Sequence, residues 1–185
     1  MPDPLDLAKE ALAQIGTRSK IVSLTDGSAE AQYINLLYAP IRDFLLTEGD
    51  YDWSMRTANL VVAGGPNPPP SPPWNYGYVY PVDALRIRQL FPSNYSPSDP
   101  RPTQWTIGYD AGLGARVIYT LDSMLRAHYT SNFMGEEVWD AIFRQSFVRM
   151  LASALAFALE NRIEASKLKL DEALGFAGIA RTRDM

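Results

Sequence analysis

The stretch ALRIRQLF, residues 84–91, decides how the middle of this chain is interpreted. Leu85 and Ile87 alternate with Arg86 and Arg88, and a period of two residues is typical of a β-strand with one buried face. Three further segments have the composition of strands: residues 104–109, 116–121 and 125–130. We therefore predict a β-rich region in the centre of the chain.

Two turn signals connect these segments. Residues 110–114, Asp-Ala-Gly-Leu-Gly, suit a hairpin because glycine adopts the left-handed backbone conformation at little cost. Asp122 and Ser123 leave room only for a tight link between the last two segments. The prediction is an antiparallel meander that joins the segments into one β-sheet.

Helical periodicity precedes this region. Apolar residues recur three or four positions apart across residues 5–15, and Gly16 follows where a left-handed C-terminal cap belongs. Residues 25–28 suit the start of a second helix, which is expected to end by Gly49. Its apolar positions are Tyr33, Leu37, Ile41 and Leu45. Pro40 lies inside this helix and predicts a kink or two abutting segments, because proline has no amide hydrogen.

The clearest helix is predicted after the β-rich region. Glu136 and Glu137 suit its first turn, where the helix dipole favours negative charge. Apolar side chains continue at helical spacing at Trp139, Phe143, Phe147, Leu151 and Leu155. Because this helix is apolar nearly all round, we expect other elements to enclose it. Its longest apolar run, residues 147–159, is shorter than the roughly 20 residues that span a bilayer.

These patterns together predict an α+β fold. Both chain ends, residues 1–55 and 131–174, are expected to form a helical bundle, with residues 56–130 as an antiparallel β-sheet insertion. Residues 64–73 are a proline-rich loop of that insertion, and residues 175–185 are a C-terminal tail.

Composition and charge exclude several classes of protein. The formal net charge is −4 and the pI is about 5.0, so a dedicated nucleic-acid binder is not expected. The chain has no cysteine and one histidine, which leaves no disulfide, thiolate zinc site or cysteine nucleophile. The N-terminus lacks the basic start and apolar run of a signal peptide. We expect a soluble protein without a metal or a cofactor.

No catalytic motif is evident. His128 has no nucleophile or carboxylate motif beside it, and a lone histidine on a strand is usually structural. Acidic residues gather around the end of the second helix, at Asp43, Glu48, Asp50 and Asp52, as is common at a solvated helix end. We therefore expect that the protein is not an enzyme. The alternative is a hydrolase or transferase that uses Asp43, Asp83 or His128.

The stretch GGPNPPPSPPWNYGYVYP, residues 64–81, combines prolines with aromatic residues. Its prolines favour an extended helix, which makes the first half a stiff spacer about 30 Å long. Four aromatic side chains alternate in its second half: Trp74, Tyr76, Tyr78 and Tyr80. Because aromatic residues often anchor interfaces, we predict that these four either pack within the chain or, with Arg86 and Arg88, contact a neighbouring subunit. In the alternative, residues 66–73 are a polyproline ligand, and the chain is a protein interaction module.

The order of several segments resembles one family over nearly the whole chain. These segments are ALAQIG (11–16), YAPIRDFLLTEGDYDW (38–53), WNYGYVYPVDALRI (74–87), RVIYT (116–120), LRAHYT (125–130) and FRQSFVRMLASALAF (143–157). The chain is similar to the tail tubular protein A type of head-tail adaptor from short-tailed bacteriophages. Its long proline run and short C-terminal end depart from the family pattern.

The resemblance implies a virion structural protein with no enzymatic step. Such a protein is made in the host cytoplasm and forms a ring, typically of twelve copies, between the portal and the tail nozzle. DNA would leave the capsid through the central channel without specific binding, and no membrane is involved. By the same analogy, four residues of the C-terminal tail are expected to dock on the portal: Phe176, Ile179, Arg181 and Arg183.

Overall fold

The computed structural model describes residues 3–17, 21–63, 73–92, 103–123, 125–160, 167–168 and 170–175. The chain divides into two compact units. The helical unit comprises Met1–Ser54 and Asn132–Met185, and the β unit comprises Met55–Ser131. Each unit has its own buried side chains and is considered separately below.

The helical unit contains α1 (Pro4–Gln14), α2 (Ala29–Glu48) and α3 (Ala141–Glu160). Short 3-10 turns lie at Asp52–Ser54 and Glu136–Val138, and residues 167–168 and 170–175 are again helical. α1 begins at a capping box, in which Asp3 accepts a hydrogen bond from the Asp6 amide at 2.7 Å. It ends before Gly16, whose φ is +76°. The predicted first helix and its glycine cap are therefore confirmed.

α2 begins where the sequence predicts, because the Ser28 hydroxyl accepts a hydrogen bond from the Ala31 amide at 3.2 Å. It then runs through Pro40 as one helix, so of the two expected alternatives the division into two segments is wrong, and the kink stays a prediction. Its buried residues are Ala31, Ile34, Ile41, Leu45 and Leu46. Tyr33, predicted on the buried face, is 38% exposed. α2 is apolar on more than one face, so periodicity alone did not identify the face that packs.

α3 starts later than predicted. Glu136 and Glu137 lie in the preceding 3-10 turn, and the helix begins after Asp140, whose Oδ1 accepts a hydrogen bond from the Phe143 amide at 2.7 Å. Its segment Ala141–Leu159 has 19 residues and a mean hydropathy of 1.3, long and apolar enough by composition to cross a membrane. Just over half of that segment, 56%, is buried within the protein, as in the core helix of a globular domain.

The expected bundle formed by both chain ends is not what the structure contains. α1 and α2 each pack against α3, but they make little contact with each other. α3 is therefore the helix on which the other two pack, and the three do not form a closed bundle. Helical periodicity identifies apolar faces, whereas a helix such as α3, apolar nearly all round, accepts partners on several sides, so the pattern did not determine the arrangement.

Aromatic rings fill the core of the helical unit. The Phe143 ring meets Trp53 and Trp139 edge to face, with centroids 5.0 and 4.8 Å apart. The Tyr38 ring packs on Phe147 at 4.7 Å, and the Tyr38 hydroxyl donates a 2.8 Å hydrogen bond to Glu136. Burial, and then the neighbouring Glu136 carboxylate, raise the pKa of Tyr38. These rings connect α2 to α3 by contacts that are specific in geometry as well as apolar.

The β unit has six strands rather than the four predicted. They are β1 (Met55–Asn59), β2 (Tyr76–Val79), β3 (Ala84–Pro92), β4 (Trp105–Asp110), β5 (Ala115–Thr120) and β6 (Leu125–Ser131). All pair antiparallel, in two three-stranded sheets of order β1-β6-β3 and β2-β5-β4. The prediction of a single inserted sheet is therefore wrong, although the four predicted strands agree closely with β3 to β6.

The two predicted turns differ in what they do. In the β4–β5 hairpin, Asp110 Oδ1 accepts hydrogen bonds from the amides of Gly112 and Leu113 at 2.8 and 3.0 Å, and Gly114 has a φ of +62°. That hairpin is confirmed. The tight link at Asp122, in contrast, carries the chain from one sheet to the other. The predicted meander therefore breaks at this link.

The sequence suggested that buried and exposed residues alternate strictly along β3, but in the structure they do not. Its register with β6 shifts between Ala84 and Arg86 and again between Ile87 and Gln89. Each irregularity inserts an extra residue, so the buried positions Ala84, Ile87 and Leu90 fall three apart instead of two. Bulges of this kind leave no reliable signal in a pattern of apolar and charged residues.

Residues just after β1 link the two sheets. The Leu60 amide donates to the Leu125 carbonyl at 2.9 Å, in the sheet of β6. The Val79 amide donates to the Val61 carbonyl at 2.8 Å, so the same segment also borders β2. The core of the unit contains residues from both sheets: Tyr78, Tyr80, Ala84, Ile87, Leu90, Ile118, Leu125, Ala127 and Tyr129. The link and the shared core hold the two sheets together.

Candidate interaction surfaces

The aromatic residues predicted to form a subunit contact lie at different depths. Tyr78 is 2% exposed and Tyr80 is 7% exposed, and both belong to the core of the β unit. The Arg116 guanidinium lies 3.8 Å from the centroid of the Tyr80 ring. Trp74 is partly buried and Tyr76 is exposed. Tyr78 and Tyr80 therefore pack within the chain, one of the two expected roles, and the subunit contact of these residues stays a prediction.

The two predicted interface arginines also differ. Arg86 is exposed, whereas Arg88 is partly buried and its Nε donates a 2.8 Å hydrogen bond to the Thr130 hydroxyl. Thr130 is fully buried on β6. Arg88 is therefore tied to the neighbouring strand, and Arg86 is the more accessible of the two.

The other predicted contact residues lie outside the described part of the chain. This holds for the four tail residues Phe176, Ile179, Arg181 and Arg183, and for residues 64–72 of the proline-rich loop. Their docking on a portal or a partner stays a prediction.

Asp83 joins three strands of one sheet through its carboxylate. Oδ2 accepts hydrogen bonds from Arg56 Nη1 on β1 at 2.6 Å and from the Ser131 hydroxyl on β6 at 2.8 Å. The Tyr129 hydroxyl approaches both carboxylate oxygens, at 3.2 and 3.3 Å. Asp83 itself stands immediately before β3. We call these four residues the Asp83 clamp, since they fasten β1, β3 and β6 at one end of the sheet.

The clamp also fixes the charge of its carboxyl group. Burial acts to raise the pKa of Asp83, but hydrogen bonds from Ser131, from its own backbone amide and from Tyr129, together with the Arg56 charge, hold that pKa below its usual range. Burial and the Asp83 charge raise the pKa of Tyr129. The carboxylate is therefore ionised near neutral pH and serves as a structural acceptor.

Trp53 has a comparable role in the helical unit. Its indole Nε1 donates a 2.9 Å hydrogen bond to Asp140 Oδ2, while the other oxygen of Asp140 caps α3. One carboxylate thus positions the indole and the start of the helix. Trp53, Asp83 and Tyr129 thus each make contacts that hold their own unit together.

The residues considered for catalysis each have different partners. Asp43 is in the helical unit, paired with Arg42 at 2.8 Å, and Asp83 and His128 are in the β unit. His128 Nδ1 lies 3.0 Å from the Thr57 hydroxyl, apart from the partners of Asp83. Within the described residues, no group of three or more acidic, histidine or cysteine side chains is placed to hold a metal ion.

A cleft of about 290 Å³ opens in the helical unit. Its lining is Glu10, Glu136, Glu137, Trp139, Ala141, Arg144 and Gln145. Arg144, also in the lining, donates to Glu10 at 3.2 Å, and Glu136 accepts from Tyr38, so two of the three carboxylates are hydrogen-bonded. The indole Nε1 of Trp139, also in the lining, is buried and has no hydrogen-bond partner among the described residues, and the lining residues do not form a nucleophile–base pair.

A surface missed by sequence reasoning runs along α2. Tyr33, Leu36, Pro40 and Phe44 are all exposed and lie three or four residues apart, which places them on one face of the helix. Tyr33 is 38%, Leu36 67% and Phe44 47% exposed. We call this face the α2 stripe. The signal was present in the sequence, because α2 has more apolar residues than one buried face needs.

No family model matches this sequence, and none of the curated proteins shows significant similarity to it.

Proposed function

We propose that this chain is a head-tail adaptor of a short-tailed bacteriophage. In this role it is a structural protein of the virion neck, made in the host cytoplasm. About twelve copies form a ring that joins the portal to the tail nozzle and lines part of the path by which DNA leaves the capsid. The partners are the portal protein, the nozzle protein and further copies of the same chain.

The observation that carries this proposal is the placement of the matched residues. Trp53 donates to the carboxylate that caps α3, and Asp83 accepts from Tyr129 within the clamp. The proposal is supported by the order of the matched segments along the chain, and these three residues within them make contacts inside their own units.

The charge of the chain supports the same role. With a formal charge of −4 per chain, a ring of twelve copies carries roughly −48 charges, and like charge on a channel wall discourages DNA from binding during passage. A protein that must hold DNA would need the opposite balance. The proposal therefore includes slippage of DNA through the ring without specific contacts.

Sedimentation with portal rings tests the proposal. The purified chain is mixed with assembled portal rings of the same phage and spun through a sucrose cushion, and we expect it to pellet with the rings in a fixed ratio. The chain without portal is the control. A chain that stays monomeric at high concentration and also stays in the supernatant with portal would refute the proposal.

A deletion of residues 66–73 separates this role from that of a polyproline ligand. An adaptor without this stretch is expected to pellet with portal as before. If the deletion instead abolishes binding to a soluble partner and portal binding is absent throughout, the interaction module is the better account.

A further inference from the structure

The two edges of the sheet of order β2-β5-β4 differ. Residues 61–63 border β2, because the Ala63 amide donates to the Gly77 carbonyl and the Val79 amide donates to the Val61 carbonyl. No described segment pairs with the outer side of β4. A row of backbone groups without partners is a template for another strand. The described part of the chain therefore covers the β2 edge and leaves the β4 edge open.

Hydrogen bonds in the neighbouring strands show which groups of β4 face outward. The Tyr80 amide donates to the Arg116 carbonyl at 3.1 Å, so alternate residues of β5, starting at Arg116, direct their backbone groups to β2. The residues of β5 between them bond to β4, where they lie opposite Thr106 and Gly108. The outward N–H and C=O groups of β4 therefore belong to the other residues of the strand: Trp105, Ile107 and Tyr109.

β4 also lacks the features that usually protect an edge strand. Its pairing with β5 is regular over all six residues, whereas β3, an edge of the other sheet, has two irregularities. It contains no proline, lysine or arginine, and its one charged residue, Asp110, is the last. Ile107 and Tyr109 are 39% and 67% exposed. Because natural proteins usually block an open edge with a charge, a proline or a bulge, this edge is suited to pairing.

The edge is complementary to a second copy of itself. In an antiparallel pair with a two-fold axis at Ile107, the outward residues of the two copies are matched throughout: Ile107 opposes Ile107, and Trp105 opposes Tyr109 on both sides of it. Such pairs form about six backbone hydrogen bonds and place aromatic rings beside each other. Asp110 then opposes the neutral Gln104, so no like charges meet.

We propose that two copies of this chain associate through β4, which joins their three-stranded sheets into one continuous antiparallel sheet. The contact is small beside the roughly 800 Å² per partner of a stable dimer, so it is weak, with a Kd on the order of 100 µM. It does not depend on the adaptor role. Neighbours in a cyclic ring meet through two different surfaces, whereas this contact uses the same surface on both copies and belongs to the free chain.

Hydrogen exchange of the wild-type chain, followed by NMR at about 50 µM and about 1 mM, tests the contact. The amides of Trp105, Ile107 and Tyr109 should exchange about three times more slowly at the higher concentration, because the monomer fraction falls by that factor at the expected Kd. The amides of Thr106 and Gly108, which bond to β5, are internal controls and should change less. If the outward amides are already protected where sedimentation shows a monomer, the chain covers its own edge and the inference fails.

Cysteine cross-linking tests the register, because the natural chain has no cysteine. In Ile107→Cys the two Cα atoms across the axis would lie about 5.5 Å apart, within the range of a disulfide. Tyr109→Cys is the matched control, since it is more exposed and on the same face but would lie about 14 Å from its own copy. Oxidation should convert at least ten times more Ile107→Cys than Tyr109→Cys into covalent dimers. Equal yields would overturn the proposed pairing.

Lysine substitutions give a second measurement, by analytical ultracentrifugation. Ile107→Lys places like charges opposite each other at the axis and should weaken association at least tenfold. Thr106→Lys is the control, because its lysine would oppose Gly108 of the other copy, and it should associate nearly as the wild type does.

The outcomes separate this inference from the proposed function. A wild-type chain that sediments as a monomer up to about 1 mM overturns the dimer, whether or not it pellets with portal rings. If the wild type is monomeric and Ile107→Lys, unlike Thr106→Lys, no longer pellets with portal, the edge binds a strand of the portal. That result would refute the dimer and leave the adaptor role standing.

Discussion

Removal of the Asp83 carboxylate should loosen the β unit. In Asp83→Ala, the hydroxyl groups of two buried residues, Ser131 and Tyr129, lose their hydrogen bonds to the carboxylate. A hydrogen bond to a charged group contributes about 1.5–3 kcal/mol, and the partly exposed Arg56 pair adds at most about 1 kcal/mol. Allowing for water that replaces some of these contacts, we expect a loss of about 3 kcal/mol in the free energy of unfolding. Asp83→Asn keeps one acceptor oxygen and should lose about half as much.

The clamp also predicts how stability depends on pH. Because the pKa of Asp83 is held below its unfolded value of 3.8, its contribution is complete above that value and is lost as the pH falls towards the folded pKa. Wild-type protein should therefore lose stability on acidification below about pH 4. Asp83→Asn cannot titrate, so it should lose less over the same range.

Hydrogen–deuterium exchange measured by mass spectrometry at increasing urea concentrations reports the stability of each strand separately. Peptides covering β1, β3 and β6 should exchange faster in Asp83→Ala, and the urea concentration at which these strands are half unfolded should fall. Peptides covering α3 should keep the exchange rate and urea midpoint of the wild type. Asp122→Ala is the matched control, because the Asp122 side chain makes no hydrogen bond to the described part of the β unit. If the free energies of unfolding of Asp83→Ala and Asp122→Ala agree within about 0.5 kcal/mol, the clamp does not stabilise the sheet.

Other substitutions test contacts in the helical unit. Asp140→Ala removes both the cap of α3 and the acceptor of the Trp53 indole. It should lower the free energy of unfolding by about 1–2 kcal/mol, measured by urea unfolding followed through tryptophan fluorescence. An unchanged urea midpoint would count against this dual role of Asp140. Gly49→Ala places a methyl group against the buried Tyr51 ring and should cost about 1–3 kcal/mol, whereas Gly175→Ala, where the methyl meets open space, should be nearly neutral. Equal melting curves for the two glycine variants would contradict this packing.

Sequence patterns predicted the local elements better than their assembly. The cap at Gly16, the start of α2 at Ser28 and the hairpin at Asp110 depend on nearby residues, and the structure agrees with them. The arrangement of helices around α3 and the division into two sheets depend on which apolar faces meet. Periodicity shows that a face is apolar but gives no information on its partner.

The candidate surfaces show the same limit. Alternation placed Tyr76, Tyr78 and Tyr80 on one face of a strand, but it could not show that this face meets a second sheet. The contacts of the Asp83 clamp could not be predicted from the sequence, because Arg56 and Ser131 are far from Asp83 in the chain. The α2 stripe could have been found from the excess of apolar residues on that helix, once its buried face was known.

Averaged electron micrographs of portal rings, recorded with and without the purified chain, test the adaptor role most directly. The account predicts an added ring of density on one end of the portal, with about twelve repeats and an open channel along the axis. Portal rings that look the same with and without a several-fold excess of the chain would contradict it.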